Sequence, residues 1–187
     1  MSPGPDFMVT LRQTINYGKK YAYFSSLGIG AAILVHVGYT LLGVGLILKN
    51  LPYFLDIVRI LGALYLIYLG YGSFKSNSSK IKIQKEKKLS YSYKKSFFVG
   101  FITDLLNPKA TLFFLSVFTA IVSVDTPMYI QGLYGFYCVL ANIFWYMFIA
   151  NILSIKKNLD LFNKHQNIIE KVIGIVLVLL GIKLIFS

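Results

Sequence analysis

Leu105-Leu106-Asn107-Pro108-Lys109-Ala110 lies in the middle of an otherwise apolar run, Ser96 to Val124. The run is long enough to cross a bilayer, yet it carries Asp104 and Lys109 and is interrupted by Pro108. Proline inside a helix removes a backbone hydrogen bond and clashes with the preceding turn. Charges at membrane depth are costly and mark a pathway or a site. Asparagine is a favoured N-cap, and proline is favoured at the first helical position, where its missing N–H would be unpaired anyway. Asn107-Pro108 therefore predicts the start of a new half-helix within the membrane. The chain offers one counterpart, Ser2-Pro3-Gly4-Pro5-Asp6 at its start.

Outward from this stretch, the composition points away from a soluble fold. Of 187 residues, 56% are hydrophobic and 14% charged. Tyr21 to Leu48 and Thr126 to Ile155 contain no Asp, Glu, Lys or Arg, and such lengths cross a hydrocarbon core. The formal charge of +12 does not indicate nucleic acid, because Lys and Arg cluster between the apolar runs in the positive-inside manner. A single cysteine, Cys138, excludes a disulfide framework and a thiolate metal site, and His36 and His165 lie too far apart to form a metal motif alone. No cofactor or metal is expected. The opening residues do not form a cleavable signal peptide.

In chain order, Met1 to Asn16 reads as the tail of a spanning segment whose first half is missing. Tyr21 to Leu48 is the next span. Its glycines (Gly28, Gly30, Gly38, Gly43 and Gly45) suit an interior helix, since small residues let membrane helices approach closely. Lys49 to Pro52 turns the chain. A third span runs to about Phe74, with Asp56 and Arg59 spaced to pair near its start. Residues 75–95 form a linker with eight lysines. A fourth span covers Ser96 to Val124, a turn at Asp125 to Pro127 follows, and a fifth span reaches about Leu153. The polar stretch Ser154 to Glu170 precedes a last span, Lys171 to Phe186. Fifteen of the 19 basic residues fall on one side in this scheme, which places those loops in the cytoplasm and both chain ends outside.

The two halves share a pattern. Gly28 follows Pro5 by 23 residues, and Gly132 follows Pro108 by 24. Arg59-Ile60-Leu61-Gly62 and Lys171-Val172-Ile173-Gly174 each place a basic residue three before a glycine, with Gly70 and Gly181 two turns on. The expected fold is an all-α polytopic membrane protein, one domain over residues 1–187. It comprises repeat 1 (1–74), the Lys-rich linker (75–95) and repeat 2 (96–187), inverted relative to each other with three transmembrane helices each. Inverted repeats with broken helices at the midplane place a substrate site at the repeat interface.

The chemistry of the breaks follows. A half-helix start presents free N–H groups and a positive dipole end, which suit an anion. Gly4-Pro5 and Asn107-Pro108 both supply one, and the next residues, Asp6 and Lys109, differ in sign. A zwitterionic amino acid needs both signs: its carboxylate at the helix starts and Lys109, its ammonium group at Asp6. The alternative is that Asp6 and Lys109 neutralise each other as a structural pair. Asp104 is the better candidate for proton coupling, since burial favours the neutral form of a carboxylate. Its alternative is a pair with a basic residue near the cytoplasmic end. His36 is the second candidate, although its place among glycines and valine favours a packed, hydrogen-bonded ring. Asn142 reads as a helix bridge before it reads as a path residue, and Cys138 as packing.

With Pro3-Gly4-Pro5-Asp6 and Asn107-Pro108-Lys109 in place, the chain resembles the LysE/RhtB family of amino-acid exporters. Further residues carry the resemblance: Gly18, Leu27 to Gly30, Leu61 to Gly70, Gly100-Phe101, Leu105 to Phe114 and the Gly174 to Gly181 helix. The resemblance implies a six-span protein of the bacterial inner membrane that exports amino acids or similar metabolites by proton motive force. The Pro-Gly-Pro-Asp form looks more like the branch exporting homoserine, threonine and other neutral amino acids. Members carry a further apolar stretch before Pro3, so the first helix is expected to be truncated here. The lipid bilayer, a small amino acid and a second copy of the chain are the expected partners, and nucleic acid is not.

Two other classes compete. An intramembrane enzyme needs a nucleophile and base, or paired carboxylates, at matching depth. Asp6 and Asp104 are the only such carboxylates, and no catalytic motif accompanies them, so no enzyme is expected. A non-transporting membrane subunit or assembly factor would use the same spans for packing alone.

Overall fold

The computed structural model describes residues 4–48, 54–75, 91–121 and 126–186. Every element among them is helical: α1 (Pro5–Tyr17), α2 (Lys19–Leu48), α3 (Phe54–Lys75), α4 (Tyr93–Leu105), α5 (Pro108–Ile121), α6 (Met128–Leu153) and α7 (Lys156–Ile185). Ser2-Pro3, the Lys49 to Pro52 turn, Asp125 and the linker residues 76–90 lie outside the described residues, as do the side chains of Asp56 and Arg59.

Two helices are individually long and apolar enough to cross a membrane among the described residues, Lys19–Leu42 within α2 and Met128–Leu153. α4 and α5 pass the same test together as one broken span, bent by 63°. At 1.5 Å per residue each is about 20 Å long, too short to cross a core of about 30 Å alone. The break is local chemistry. Leu106 closes α4 by donating its N–H to the Ile102 carbonyl, and Asn107 N–H bonds the Asp104 carbonyl. Pro108 then opens α5 at the position where proline is tolerated best. Ile60–Phe74 of α3 is a shorter apolar stretch.

α7 departs from expectation. The polar stretch Ser154 to Glu170 does not stand apart from a last span at Lys171; from Lys156 it forms one 30-residue helix with that span. Leu159 and Gln166 lie buried on its polar half, and Gln166 Nε2 donates to Glu170 Oε1 at 3.0 Å, an i,i+4 pair that continues the helix across the change in polarity.

α2 is the central helix, packing on α1, α4, α5 and α6. Glycines bring it close to α4: Gly28 lies directly on the Phe97 carbonyl and Gly100 on the Ser25 carbonyl. α3 and α7 pack the same way in antiparallel sense. A Cβ on Gly70 would come within 2.7 Å of the Gly174 carbonyl, and one on Gly181 within 2.8 Å of the Ala63 carbonyl.

Two apolar cores result. The larger gathers Phe7 and Leu11 of α1, Ile29 and Ile33 of α2, Tyr146 and Ile149 of α6, and Leu159 of α7. The smaller gathers Ala63 and Leu66 of α3 with Leu177 and Leu184 of α7. Elsewhere large apolar side chains face outward, among them Tyr137, Phe144 and Leu179, an arrangement that suits lipid and not water.

Candidate functional site

The two helix starts meet between these cores. Asn107 makes the junction. Its Oδ1 accepts from the Lys109 backbone N–H at 3.0 Å, capping α5 in the manner expected of an N-cap asparagine. Its Nδ2 donates to Asp6 Oδ2 at 3.0 Å, tying α5 to the first turn of α1. α1 begins with Gly4 as its cap and Pro5 at the first helical position, and Asp6 sits against the positive end of its own helix.

Asp104, in the last turn of α4, lines the same cavity as Asp6. Its Oδ2 is 3.4 Å from His36 Nε2, which also lies 3.1 Å from the Asp104 carbonyl. The other ring nitrogen, Nδ1, is 2.6 Å from Tyr39 Oη. The imidazole stacks on Phe114 with centroids 6.0 Å apart. His36 is thus a packed, doubly hydrogen-bonded ring, as its surroundings in the sequence favoured. It is also the basic neighbour of Asp104, in place of a residue nearer the cytoplasmic end. Lys109 reaches the same region, where it attracts Asp6 electrostatically.

These groups line a cavity of about 110 Å³, several times the roughly 30 Å³ that a water occupies in the liquid. Gly4, Asp6, Asp104, Asn107 and Lys109 form its polar side, with Asn142 and Tyr146 of α6. Ile33, Leu69, Phe113, Phe114 and Leu177 form the apolar remainder. His36 stands behind Asp104 and outside the lining. Pro5 and Pro108 are exposed and also outside it, so they serve the site through the helix starts they set and not by contact. Asn142 lines the cavity and also bonds the Cys138 carbonyl at 3.5 Å. Tyr146 carried no signal in the sequence, since an isolated tyrosine in an apolar span resembles any interfacial aromatic.

Electrostatics dictates what the site tolerates. Two carboxylates side by side repel, and burial sharpens that repulsion. Asp6 is 9% exposed and Asp104 2%. Lys109 supplies one compensating charge. A proton, a charged His36 or a cationic group from a ligand supplies the next. No group of three or more His, Cys, Asp or Glu is arranged to hold a metal among the described residues.

The LysE type translocator family model matches residues 1–187. The chain belongs to that family. It is therefore a membrane transporter and not an enzyme. The translocator is 29% identical to the threonine efflux protein of Salmonella typhi over 193 residues, covering 100% of this chain and 92% of that one. It is 27% identical to the threonine efflux protein of Escherichia coli over 191 residues, with the same coverage. A third relative, the membrane protein YrhP of Bacillus subtilis, is 29% identical over 189 residues, 97% of this chain and 90% of that protein. No solved structure matches the translocator.

Proposed function

We propose that this translocator exports amino acids, neutral ones of the threonine type, across the bacterial cytoplasmic membrane in exchange for protons. The observation that carries the proposal is the pairing of opposite charges on one small cavity: Asp6 and Asp104 on one side, Lys109 at the capped start of α5 on the other. Lys109 and the α5 N-terminus suit the substrate carboxylate, and Asp6 suits its ammonium group. Asp104, with His36 behind it, completes the acidic side. The ammonium group and a proton are then alternative ways to neutralise the same carboxylates, which is the logic an exchanger needs. The apolar lining from Leu69, Phe113 and Leu177 leaves room for a small side chain and offers no partner for a charged one.

The reading extends to the whole architecture. α1–α3 and α4–α7 form two inverted repeats, residues 1–74 and 96–187, with the Lys-rich linker 75–95 between them in the cytoplasm. The contact pattern supports this: α2 packs on α5 as α6 packs on α1, and the third helix of each half packs on the other. Threonine efflux proteins among the relatives support the substrate class.

The test is export of L-threonine from preloaded cells. Lys109→Ala and Asp6→Asn should each lower efflux by about tenfold or more, the size expected when one charged contact of a buried pair is removed. Dissipating the proton gradient should abolish uphill export by the wild type. Near-normal efflux in both variants would sink the site, and efflux only of some other metabolite in a substrate screen would replace the substrate.

A further inference from the structure

Five buried side-chain atoms make no hydrogen bond among the described residues: Asp6 Oδ1, Thr10 Oγ1, Ser25 Oγ, Asp104 Oδ2 and Gln166 Oε1. Four of them belong to α1, α2 and α4, three helices that pack on one another, and one of the four, Asp104 Oδ2, has the His36 ring nitrogen at 3.4 Å. Along α1 the residues Asp6, Thr10 and Gln13 are buried at helical spacing on one face. Along α4 the buried residues are Ser96, Gly100 and Asp104, again on one face. The helices run antiparallel, so Asp6 lies beside Asp104 at the cavity end and Gln13 beside Ser96 at the other. Midway, Gly100 rests on Ser25 of α2, bringing that hydroxyl to within 2.8 Å of the position a Cβ on Gly100 would take. At the far end Ser96 Oγ donates to Gln13 Oε1 at 2.9 Å, and Gln13 Nε2 donates to Tyr91 Oη at 2.9 Å. Tyr91 is half-buried, stacks on Tyr17 with centroids 3.9 Å apart, and has the Lys95 ammonium 5.2 Å from its ring centre.

Packing alone does not explain the seam between these helices. Small residues, Ser and Thr included, suit a close helix contact, but buried polar atoms are almost always satisfied, so the unpartnered Thr10 and Ser25 hydroxyls are left over by the packing. A hydroxyl donates and accepts at once, so a row of them with spare capacity can pass a proton where a row of methyl groups cannot. We propose that the α1–α2–α4 seam is the proton path between the Asp6–Asp104 pair and the lysine-rich face, running through the hydroxyls of Thr10, Ser25 and Ser96 to Tyr91, with the Gln13 amide orienting Ser96 and Tyr91. At each step one O–H bond breaks as the next forms, with water completing the chain, so that one proton moves and nothing is oxidised or reduced. The other titratable groups facing the carboxylates are His36 and Tyr39 from α2, Lys109 from α5 and Tyr146 from α6. Lys109 and Tyr146 face the cavity, while His36, with Tyr39 on its other ring nitrogen, stands on α2 behind Asp104. The path rests on the proton-coupled reading above.

Infrared spectroscopy of the full chain in liposomes tests it without a substrate. The C=O band of a protonated carboxyl, assigned by its loss in Asp6→Asn or Asp104→Asn, shifts when its proton exchanges in D2O. The Thr10→Val/Ser25→Ala double variant should slow that exchange by about tenfold or more. Thr10→Ser together with Ser25→Ala should restore much of it, because the hydroxyl returns while the packing defect remains. Ser96→Ala, one step nearer the surface, should slow exchange at the same band and gives a second reading if the double variant does not fold. Unchanged exchange in the folded variants, or a wild type with no protonated carboxyl at any pH where it stays folded, would overturn the path. Threonine efflux measured beside it separates the two proposals. Exchange through the seam without threonine efflux overturns the substrate alone, and threonine export with an exchange rate indifferent to the variants overturns the path alone.

Discussion

Asn107 holds two bonds that a substitution can separate. Its Oδ1 caps α5 and its Nδ2 bonds Asp6. Asn107→Asp keeps a good cap and places a third carboxylate against Asp6, whereas Asn107→Ala removes both functions. We expect Asn107→Ala to lower stability by about 1–2 kcal/mol, as lost caps do, read as a fall in melting temperature in detergent. Asn107→Asp should lose threonine efflux at least as completely while Asp6 is ionised, because repulsion replaces the bond across the cavity. Equal efflux by Asn107→Asp and wild type would show that the tie to Asp6 is dispensable. The cap was legible in the sequence because Asn-Pro has a local meaning. The bond to Asp6, 101 positions away, was legible only as a coincidence of two motifs. That Asp104 sits beside Asp6 was not legible, since helix rotation about a break is fixed by packing and not by spacing.

At the scale of elements, the glycines divide into those that set a helix contact and those that do not. Gly28 rests on the Phe97 carbonyl and Gly70 on the Gly174 carbonyl, while Gly38 and Gly132 have no atom within 4 Å of a built Cβ. Gly28→Ala, Gly70→Ala and Gly174→Ala should each destabilise by roughly 1–3 kcal/mol, the range for an overpacked contact. Gly38→Ala and Gly132→Ala should leave the melting temperature unchanged or raise it slightly, since alanine is the better helix former. A uniform response across all five would contradict the close approach of these helices. The sequence announced a glycine-rich interior helix at α2, but its spacing only aligned the glycines of the two halves and did not say that Gly70 meets Gly174. α7 was the harder element. A run rich in Lys and Asn reads as a loop until Leu159 and Gln166 are seen to be buried along one side of it, which a polar composition conceals.

For the whole molecule, the orientation proposed from the basic residues has a direct check. In a Cys138→Ala background, a cysteine at exposed Ser154 should react with a membrane-impermeant maleimide only after the cells are permeabilised. One at Tyr129, which is 71% exposed, should react in intact cells. The reverse pattern would invert the protein. The membrane class was plain from apolar runs, because a bilayer imposes span length on composition directly. The relation between the two cores was not, because it depends on contacts between residues far apart in sequence. That relation carries a mechanical consequence. One body, α1, α2, α4 and α6, holds Asp6 and Asp104, and a second, α3 and α5, holds Lys109, with the cavity in the joint between them. Besides the connections from α2 to α3, α3 to α4 and α5 to α6, two described segments bridge the joint: the bend at Leu106-Asn107, and α7, which packs Phe162 on Phe7 at one end and Leu177 on the α3 side at the other. A hinge at the bend, with α7 as the flexing strut, would let the bodies rock, with Phe114 of α5 sliding on His36 and the larger core. The Asn107–Asp6 bond is then a latch, and in the proposed site a substrate ammonium group arriving at the other oxygen, Asp6 Oδ1, draws charge away from the Oδ2 that holds it. Loading the cargo would itself loosen the clasp that keeps the joint shut.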